Sequence, residues 1–172
     1  AADWSLRGAL NSVSQGDYIK FDTSVFNTGS STPIAVLSPL PIVTAGLLTF
    51  EGDSQVVIID GTQAGANTDG LVFASTSSSN TITGLTIRNF KRDGLVINGG
   101  ASNIIGGCGT YQSHNVLVGN GGYGLRITGE GADNTAVYWN DIGRNIHTGA
   151  RQGNVLGGII VDNGPDNTSL GC

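Results

Sequence analysis

Two aspartates in the middle of the chain have the residue type and spacing that could support chemistry. Asp69 and Asp93 each precede a Gly-Leu-Val triplet, and they lie 24 residues apart. If the two triplets are equivalent strands in neighbouring turns of the chain, the aspartates stack about 4.8 Å apart at the backbone. Two carboxylates that close can share a proton, coordinate Ca²⁺ or act as an acid/base pair.

Three cations, Arg88, Lys91 and Arg92, come directly before the second of these aspartates. They could supply a catalytic base or neutralise the carboxylates, although a solvated, salt-bridged turn is the commoner meaning of such a cluster. Asp-Gly before a strand is also ordinary turn chemistry. The sequence favours this structural interpretation over a catalytic or metal-binding one.

The elements that position these side chains are indicated by a phrase that recurs along the chain. Its first apolar residues are Leu71, Leu95, Leu125 and Ile159, which are spaced 24, 30 and 34 residues apart. Self-similarity at such spacings is typical of repeat proteins, in which each unit is too small to bury its own apolar face. In the third and fourth repeats, a tyrosine and a glycine stand at the position that Asp69 and Asp93 hold in the first two. The row of carboxylates therefore ends after two coils.

A second phrase begins with asparagine at a turn and follows the first phrase at a nearly constant offset. Its asparagines are Asn80, Asn103 and Asn134. Asparagines at equivalent turns can form a side-chain ladder. A third strand per coil is expected at residues 85–88, 116–118 and 137–139. Two or three short strands per repeat, with no helical period, predict an all-β fold, a parallel β-helix.

The N-terminus differs from the repeats because it has a helical pattern. Over residues 4–14, apolar side chains recur at helical spacing, which predicts a short helix that covers the N-terminal end of the solenoid. We expect a single domain over residues 1–172, with a cap at 1–16, first strands and a loop at 17–46, and repeating coils at 47–172. No second helix is evident at the C-terminus, so either the final loop or another molecule must cover that end.

Composition excludes some classes of function. The net charge of −5 and the absence of a basic run argue against a nucleic-acid partner. No segment approaches the roughly 20 apolar residues of a membrane-spanning helix. The chain begins Ala-Ala-Asp and contains no methionine, which fits a mature secreted chain or an engineered one. Cys108 and Cys172 then favour a disulfide, either within the chain or between two chains.

Several segments together resemble a known family. They are Trp4–Leu10, Gly16–Asp22, Ser38–Ile42, Ile59–Gly61, Leu85–Phe90 and the Asp-Gly-Leu repeats. The chain is similar over nearly its whole length to bacterial extracellular right-handed parallel β-helix repeat proteins of the pectin-lyase-like superfamily. The resemblance implies a right-handed helix and an extracellular or cell-surface location.

The same superfamily includes polysaccharide lyases, glycoside hydrolases and adhesins, so the resemblance does not select one function. Residues 67–70, Asn-Thr-Asp-Gly, match one of four motifs of polygalacturonase-like hydrolases, and the other three are absent. Lyases of the superfamily use Asp or Glu ligands for Ca²⁺ and an Arg or Lys base. These roles would fall to Asp69 and Asp93 and to the neighbouring cations.

Three functions follow as hypotheses. The first is a non-catalytic extracellular structural protein that assembles with itself into a filament, tube or surface layer, without a cofactor. The second is a polysaccharide lyase or glycoside hydrolase that uses the aspartates and cations. The third is a glycan-binding adhesin module that stacks sugars on exposed aromatic side chains, for which the candidates are Tyr111, Tyr123, Tyr138 and Trp139.

Overall fold

The chain folds as a parallel β-helix with one short helix in the part that the structure describes. This computed structural model describes residues 5–27, 32–52, 57–109, 113–144 and 149–171. Its strands form a solenoid of about five turns around one apolar core. The predicted fold class, a parallel β-helix with an N-terminal helix, is thereby confirmed.

The helix α1 spans Leu6–Ser12, two residues shorter at each end than its apolar pattern. The hydroxyl of Ser5 accepts a hydrogen bond from the backbone N–H of Gly8 at 3.0 Å, which satisfies one of the helix's unpaired donors. The helix ends where Val13 becomes extended. Leu6 and Leu10 point into the core and are buried, so the helix covers the first coil as predicted.

Three parallel sheets run along the solenoid. The six-stranded sheet contains β1 (Tyr18–Lys20), β3 (Thr49–Glu51), β6 (Thr81–Thr83), β9 (Ile104–Gly106), β12 (Ala136–Tyr138) and β15 (Ser169–Leu170) in that order. The five-stranded sheet contains β2 (Ile34–Ala35), β4 (Val57–Asp60), β7 (Leu85–Arg88), β10 (Val116–Val118) and β13 (Asp141–Ile142). The four-stranded sheet contains β5 (Leu71–Phe73), β8 (Leu95–Asn98), β11 (Tyr123–Thr128) and β14 (Gly157–Asp162).

The register of the four-stranded sheet agrees with the repeat in the sequence. Leu71 pairs with Leu95, Leu95 with Leu125, and Leu125 with Ile159. The glycines before the first three anchor residues are required because successive coils approach closely there. A Cβ atom at Gly70 would collide with the carbonyl oxygen of the glycine in the next coil.

Two expected registers are wrong. Ile104 pairs with Ala136, so Asn103 lies opposite Thr135 and not opposite Asn134. Asn134 instead occupies a turn with a positive φ of 54°, a conformation that asparagine tolerates. The segment 137–139 was expected as a third strand, but Val137 belongs to the six-stranded sheet, and β13 supplies the third strand of that coil.

Candidate functional site

The two candidate aspartates do lie in neighbouring coils, as their spacing predicts. A carboxylate oxygen of Asp69 accepts a hydrogen bond from the backbone N–H of Asp93 at 2.9 Å. Asp93, which is buried, in turn accepts from the backbone N–H of Tyr123 at 2.7 Å. Each carboxylate therefore reaches forward and binds the start of the next coil, which is a structural use of the side chain.

The neighbouring cations do not converge on Asp93. The Nε of Arg92 lies 3.3 Å from Asp69, while the Nε of Arg88 contacts Asp60 at 2.8 Å. Lys91 is exposed and has no ion pair with another described residue. The cluster that is compact in the sequence is thus divided among separate carboxylates.

The Asp60–Arg88 pair joins β4 to β7 and has further donors around it. Burial raises the pKa of Asp60, but hydrogen bonds from Thr62, Arg88 and Asn89 outweigh it and hold the pKa below its ordinary value of 3.8. The Thr62 hydroxyl donates at 2.5 Å and its backbone N–H at 2.9 Å. Asp60 therefore stays ionised, as a fixed acceptor between two coils.

The cation that does contact Asp93 was missed in the sequence. Arg126 lies in β11, and its Nη1 is 3.8 Å from Asp93 while its Nη2 is 2.8 Å from Asp162. The pKa of Asp162 is lowered below its ordinary value. A hydrogen bond with the Thr128 side chain lowers it most, burial partly opposes this, and Arg126 lowers it further. The register signals this placement, because Arg126 lies opposite Val96 and Ile160, so its side chain can reach both flanking coils.

Asparagine ladders line three corners of the solenoid, and only one of them was expected. At the first corner, the Asn80 amide accepts from the backbone N–H of Leu48 at 3.0 Å and donates to the Asn103 amide oxygen at 2.7 Å. Asn103 also accepts the backbone N–H of Asn80 at 3.0 Å. The next position is Thr135, whose hydroxyl donates to a backbone carbonyl of its own turn.

Two further ladders have the same order along the solenoid. In each of them, an apolar residue donates its backbone N–H to a first asparagine, which donates to a second asparagine in the next coil. At the second corner, Leu85 donates its N–H to Asn115, and Asn115 donates to Asn140 at 2.9 Å. The third corner has the order Phe90, Asn120 and Asn154. Since buried amides must be satisfied, each ladder fixes the corner of one coil to the next.

The chemistry that this arrangement supports is therefore hydrogen bonding between coils. Among the described residues, no group of three or more His, Cys, Asp or Glu side chains is placed to hold a metal ion. The oxygens of Asp69 and Asp93 nearest the next coil already accept backbone N–H groups. A Ca²⁺ site at these carboxylates stays a prediction.

Only one of the two cysteines lies within the described residues. Cys108 lies in an exposed segment after β9. Cys172 lies outside the described residues, as does Tyr111, one of the aromatic candidates. Their disulfide, within or between chains, therefore stays a prediction.

The C-terminal coil is the other unusual region. Residues that occupy core positions in its strands are uncovered, for example Val161, which is 39% exposed, and Leu170, which is 61% exposed. Their equivalents one coil earlier, Ile127 and Val137, are 0% and 4% exposed. From the sequence we expect this end to be covered either by the final loop or by another molecule, and the described residues of that loop leave both side chains exposed.

The fold places the protein in the class of parallel β-helices. Comparisons with known proteins do not assign it to a family within that class. Neither protein-family models, nor curated proteins, nor solved structures match the chain. In the described ranges, no helix has the length and apolar character needed to cross a membrane. Functional inference therefore depends on the residues and their geometry.

Proposed function

We propose that this protein is a non-catalytic extracellular structural protein that assembles with copies of itself. The observation that carries the proposal is that the candidate catalytic side chains are engaged in joining one coil to the next. The outermost strands of the three described sheets have a strand on one side only, and such edges are templates for pairing with another chain. The extracellular location rests on the family resemblance.

The use of the candidate catalytic residues supports the same proposal. Asp69 and Asp93 accept backbone N–H groups of the next coil, and Arg88 and Arg92 neutralise two separate carboxylates of the preceding coil. A lyase or hydrolase needs a carboxylate and a base that face one substrate. The arrangement of these side chains favours stabilisation of the solenoid over catalysis.

Electron microscopy of the purified protein, with and without reductant, tests the proposal. We expect ordered assemblies, and their loss on reduction would place Cys108 or Cys172 at a contact. Dispersed single particles in both conditions, even at high concentration, would contradict an assembly role. In that case, cleavage of pectin or alginate that disappears in Asp93→Asn would establish the enzyme instead.

Glycan binding is a second candidate because one exposed aromatic residue has a supported position. Trp139 is 49% exposed, and its ring contacts the buried His114 edge to face at a centroid distance of 5.6 Å. An indole held in this way offers an open face on which a sugar ring can stack. Binding on a polysaccharide array that is lost in Trp139→Ala and kept in Tyr18→Ala would support this function.

A further inference from the structure

We propose that Asn163 is a site of spontaneous deamidation, at which the side-chain amide is converted to a mixture of aspartate and isoaspartate. The residue lies directly after β14 and is followed by Gly164. The inference goes beyond the proposed function and does not depend on it, because it concerns the covalent chemistry of one turn and not the assembly of copies.

The reaction uses the backbone nitrogen of the residue after the asparagine. The N–H of Gly164 loses its proton to hydroxide from the solvent, and the nitrogen attacks the side-chain amide carbon of Asn163. A new C–N bond closes a succinimide ring, and the bond from that carbon to Nδ2 breaks. The leaving nitrogen takes a proton from water and departs as ammonia. Water then opens the ring at either carbonyl, which gives aspartate or isoaspartate.

Asparagine is most reactive before glycine, because glycine has no side chain that obstructs ring closure. Three asparagines of this chain have a glycine after them: Asn98, Asn120 and Asn163. In the first two pairs the N–H of the glycine joins neighbouring coils. Gly99 donates to the carbonyl oxygen of Thr128 and Gly121 donates to that of Phe90, both at 2.8 Å. These bonds must open before the nitrogen can attack, so the fold protects both sites.

The N–H of Gly164 is not held in this way. It forms no hydrogen bond with another residue in the described ranges. Asn163 and Gly164 are both exposed, so water reaches the reacting atoms. Exposure alone does not distinguish this site, because Asn98 is exposed as well. The difference between the two sites is whether the N–H of the following glycine is bonded.

The unbonded N–H is a property of this turn and does not depend on whether another coil follows it. Gly164 packs against Glu130, which lies at the corresponding turn of the preceding coil, just after β11. A further coil follows Glu130, yet its N–H also forms no hydrogen bond with another described residue. The N–H at this place in the turn therefore faces away from the stack of coils in both cases.

The geometry of the turn separates a fixed side chain from a movable peptide group. The Nδ2 of Asn163 donates to the Thr128 hydroxyl at 3.1 Å, which anchors the amide. Ring closure requires rotation about the bond between the Cα and carbonyl carbon of Asn163, which moves the nitrogen of Gly164. No hydrogen bond of that nitrogen to a described residue has to break for this rotation.

The product differs from the original turn in charge and in shape. A carboxylate replaces the amide that donates to Thr128, and it lies beside Asp162, which pairs with Arg126 at 2.8 Å. Isoaspartate also lengthens the backbone by one carbon atom. Deamidation would therefore alter the connection between β14 and β15 as the protein ages.

Peptide mapping by mass spectrometry tests the proposal on the full chain. The protein is incubated at mildly alkaline pH and digested, and conversion to aspartate and isoaspartate is measured in each Asn-Gly peptide. We expect Asn163 to react at least about tenfold faster than Asn98 and Asn120, because the glycines of the other two must first break a hydrogen bond. In urea, where the coils are unfolded, all three should react at comparable rates.

Two matched variants assign the change in the intact protein. Asn163→Gln and Asn98→Gln each remove one exposed Asn-Gly pair, since glutamine must close a larger ring and reacts far more slowly. Isoelectric focusing of incubated wild-type protein should show a more acidic species. Asn163→Gln should abolish that species, and Asn98→Gln should form it at the wild-type rate. Circular dichroism before incubation checks that both variants are folded.

The outcomes decide the proposal in either direction. Equal conversion of Asn163 and Asn98 in the folded chain would overturn it, as would an acidic species that forms in Asn163→Gln at the wild-type rate. A preference for Asn163 that persists in urea would overturn it too, because the local sequence and not the fold would then set the rate. Selective conversion in the folded chain that is lost in urea would establish the site. None of these results bears on self-assembly.

Discussion

The two ends of the solenoid solve the same physical problem differently. Ile19 and Leu170 are the first and last members of one inward column in the six-stranded sheet. Ile19 is 7% exposed and belongs to the same apolar cluster as Leu6 and Leu10 of α1, whereas Leu170 is 61% exposed. An apolar column therefore buries a side chain only where further residues pack beyond it.

The difference extends to the polar groups. At the N-terminal end, the Ser5 hydroxyl satisfies a free helix donor and Arg7 binds backbone carbonyls. At the C-terminal end, the outer edge of β14 has no strand partner among the residues that are described. Among the described strands, β1, β2 and β5 at the N-terminal side likewise have a strand on one side only, so the difference between the two ends is the presence of α1.

The largest expected effect comes from matched leucine truncations at the two ends. Leu10→Ala removes a buried side chain that is 4% exposed, so it should lower the free energy of unfolding by about 3 kcal/mol. Leu170→Ala removes a side chain that is mostly in water, so the cost in the monomer should be under about 0.5 kcal/mol. Urea denaturation at low protein concentration measures both.

Equal costs would contradict the comparison, because they would mean that the C-terminal end is already covered in the monomer. At high protein concentration, the cost of Leu170→Ala should rise if a second copy covers that end, since binding of a partner stabilises the folded state. The cost of Leu10→Ala should not change with concentration.

A smaller effect is expected from the asparagine ladders. Asn115 is fully buried and bonds Leu85, Ile82 and Asn140, so Asn115→Ala should cost about 2 kcal/mol. Asn154, in the last coil, is only partly buried, and Asn154→Ala should cost about 1 kcal/mol. Thermal unfolding followed by circular dichroism compares the two. A larger loss for Asn154→Ala would contradict the view that the last coil is weakly held.

The smallest effect is the acid sensitivity of paired carboxylates in an interior and a terminal coil. The pKa values of Asp60 and Asp162 are both lowered below 3.8. The unfolded chain therefore binds these protons more readily, so their contribution to stability is present above pH 3.8 and is lost as the pH falls through the folded pKa. Urea midpoints at decreasing pH should fall less steeply in Asp60→Asn and Asp162→Asn than in the wild type. Unchanged slopes in both variants would contradict the assignment.

Much of the fold could be predicted from the sequence because a solenoid repeats one local solution. The anchor leucines, the glycine before each of them and the row of Asp69 and Asp93 all follow from spacing alone. The prediction went wrong where a repeat unit changes length, at Asn134 and at residues 137–139. A turn can shift by one residue there without altering the apolar pattern.

The candidate site was predicted less well, because proximity in sequence was taken for proximity in space. Arg88 and Arg92 follow each other closely along the chain, yet they pair with two separate carboxylates of the preceding coil, Asp60 and Asp69. Asn115 and Asn120, which belong to two of the three ladders, carry no shared phrase that marks them. Only the pairing of coils identifies their partners.

The sequence by itself determined the architecture, since period, glycine positions and apolar triplets act locally and leave few alternatives. It also determined that the N-terminal residues form a short helix. The tertiary structure alone decided which coils each carboxylate and amide joins, and where the charges of the last coil lie. The physical reason is that these hydrogen bonds and ion pairs depend on distances between atoms of neighbouring coils. Those distances are set only when the coils have formed and paired.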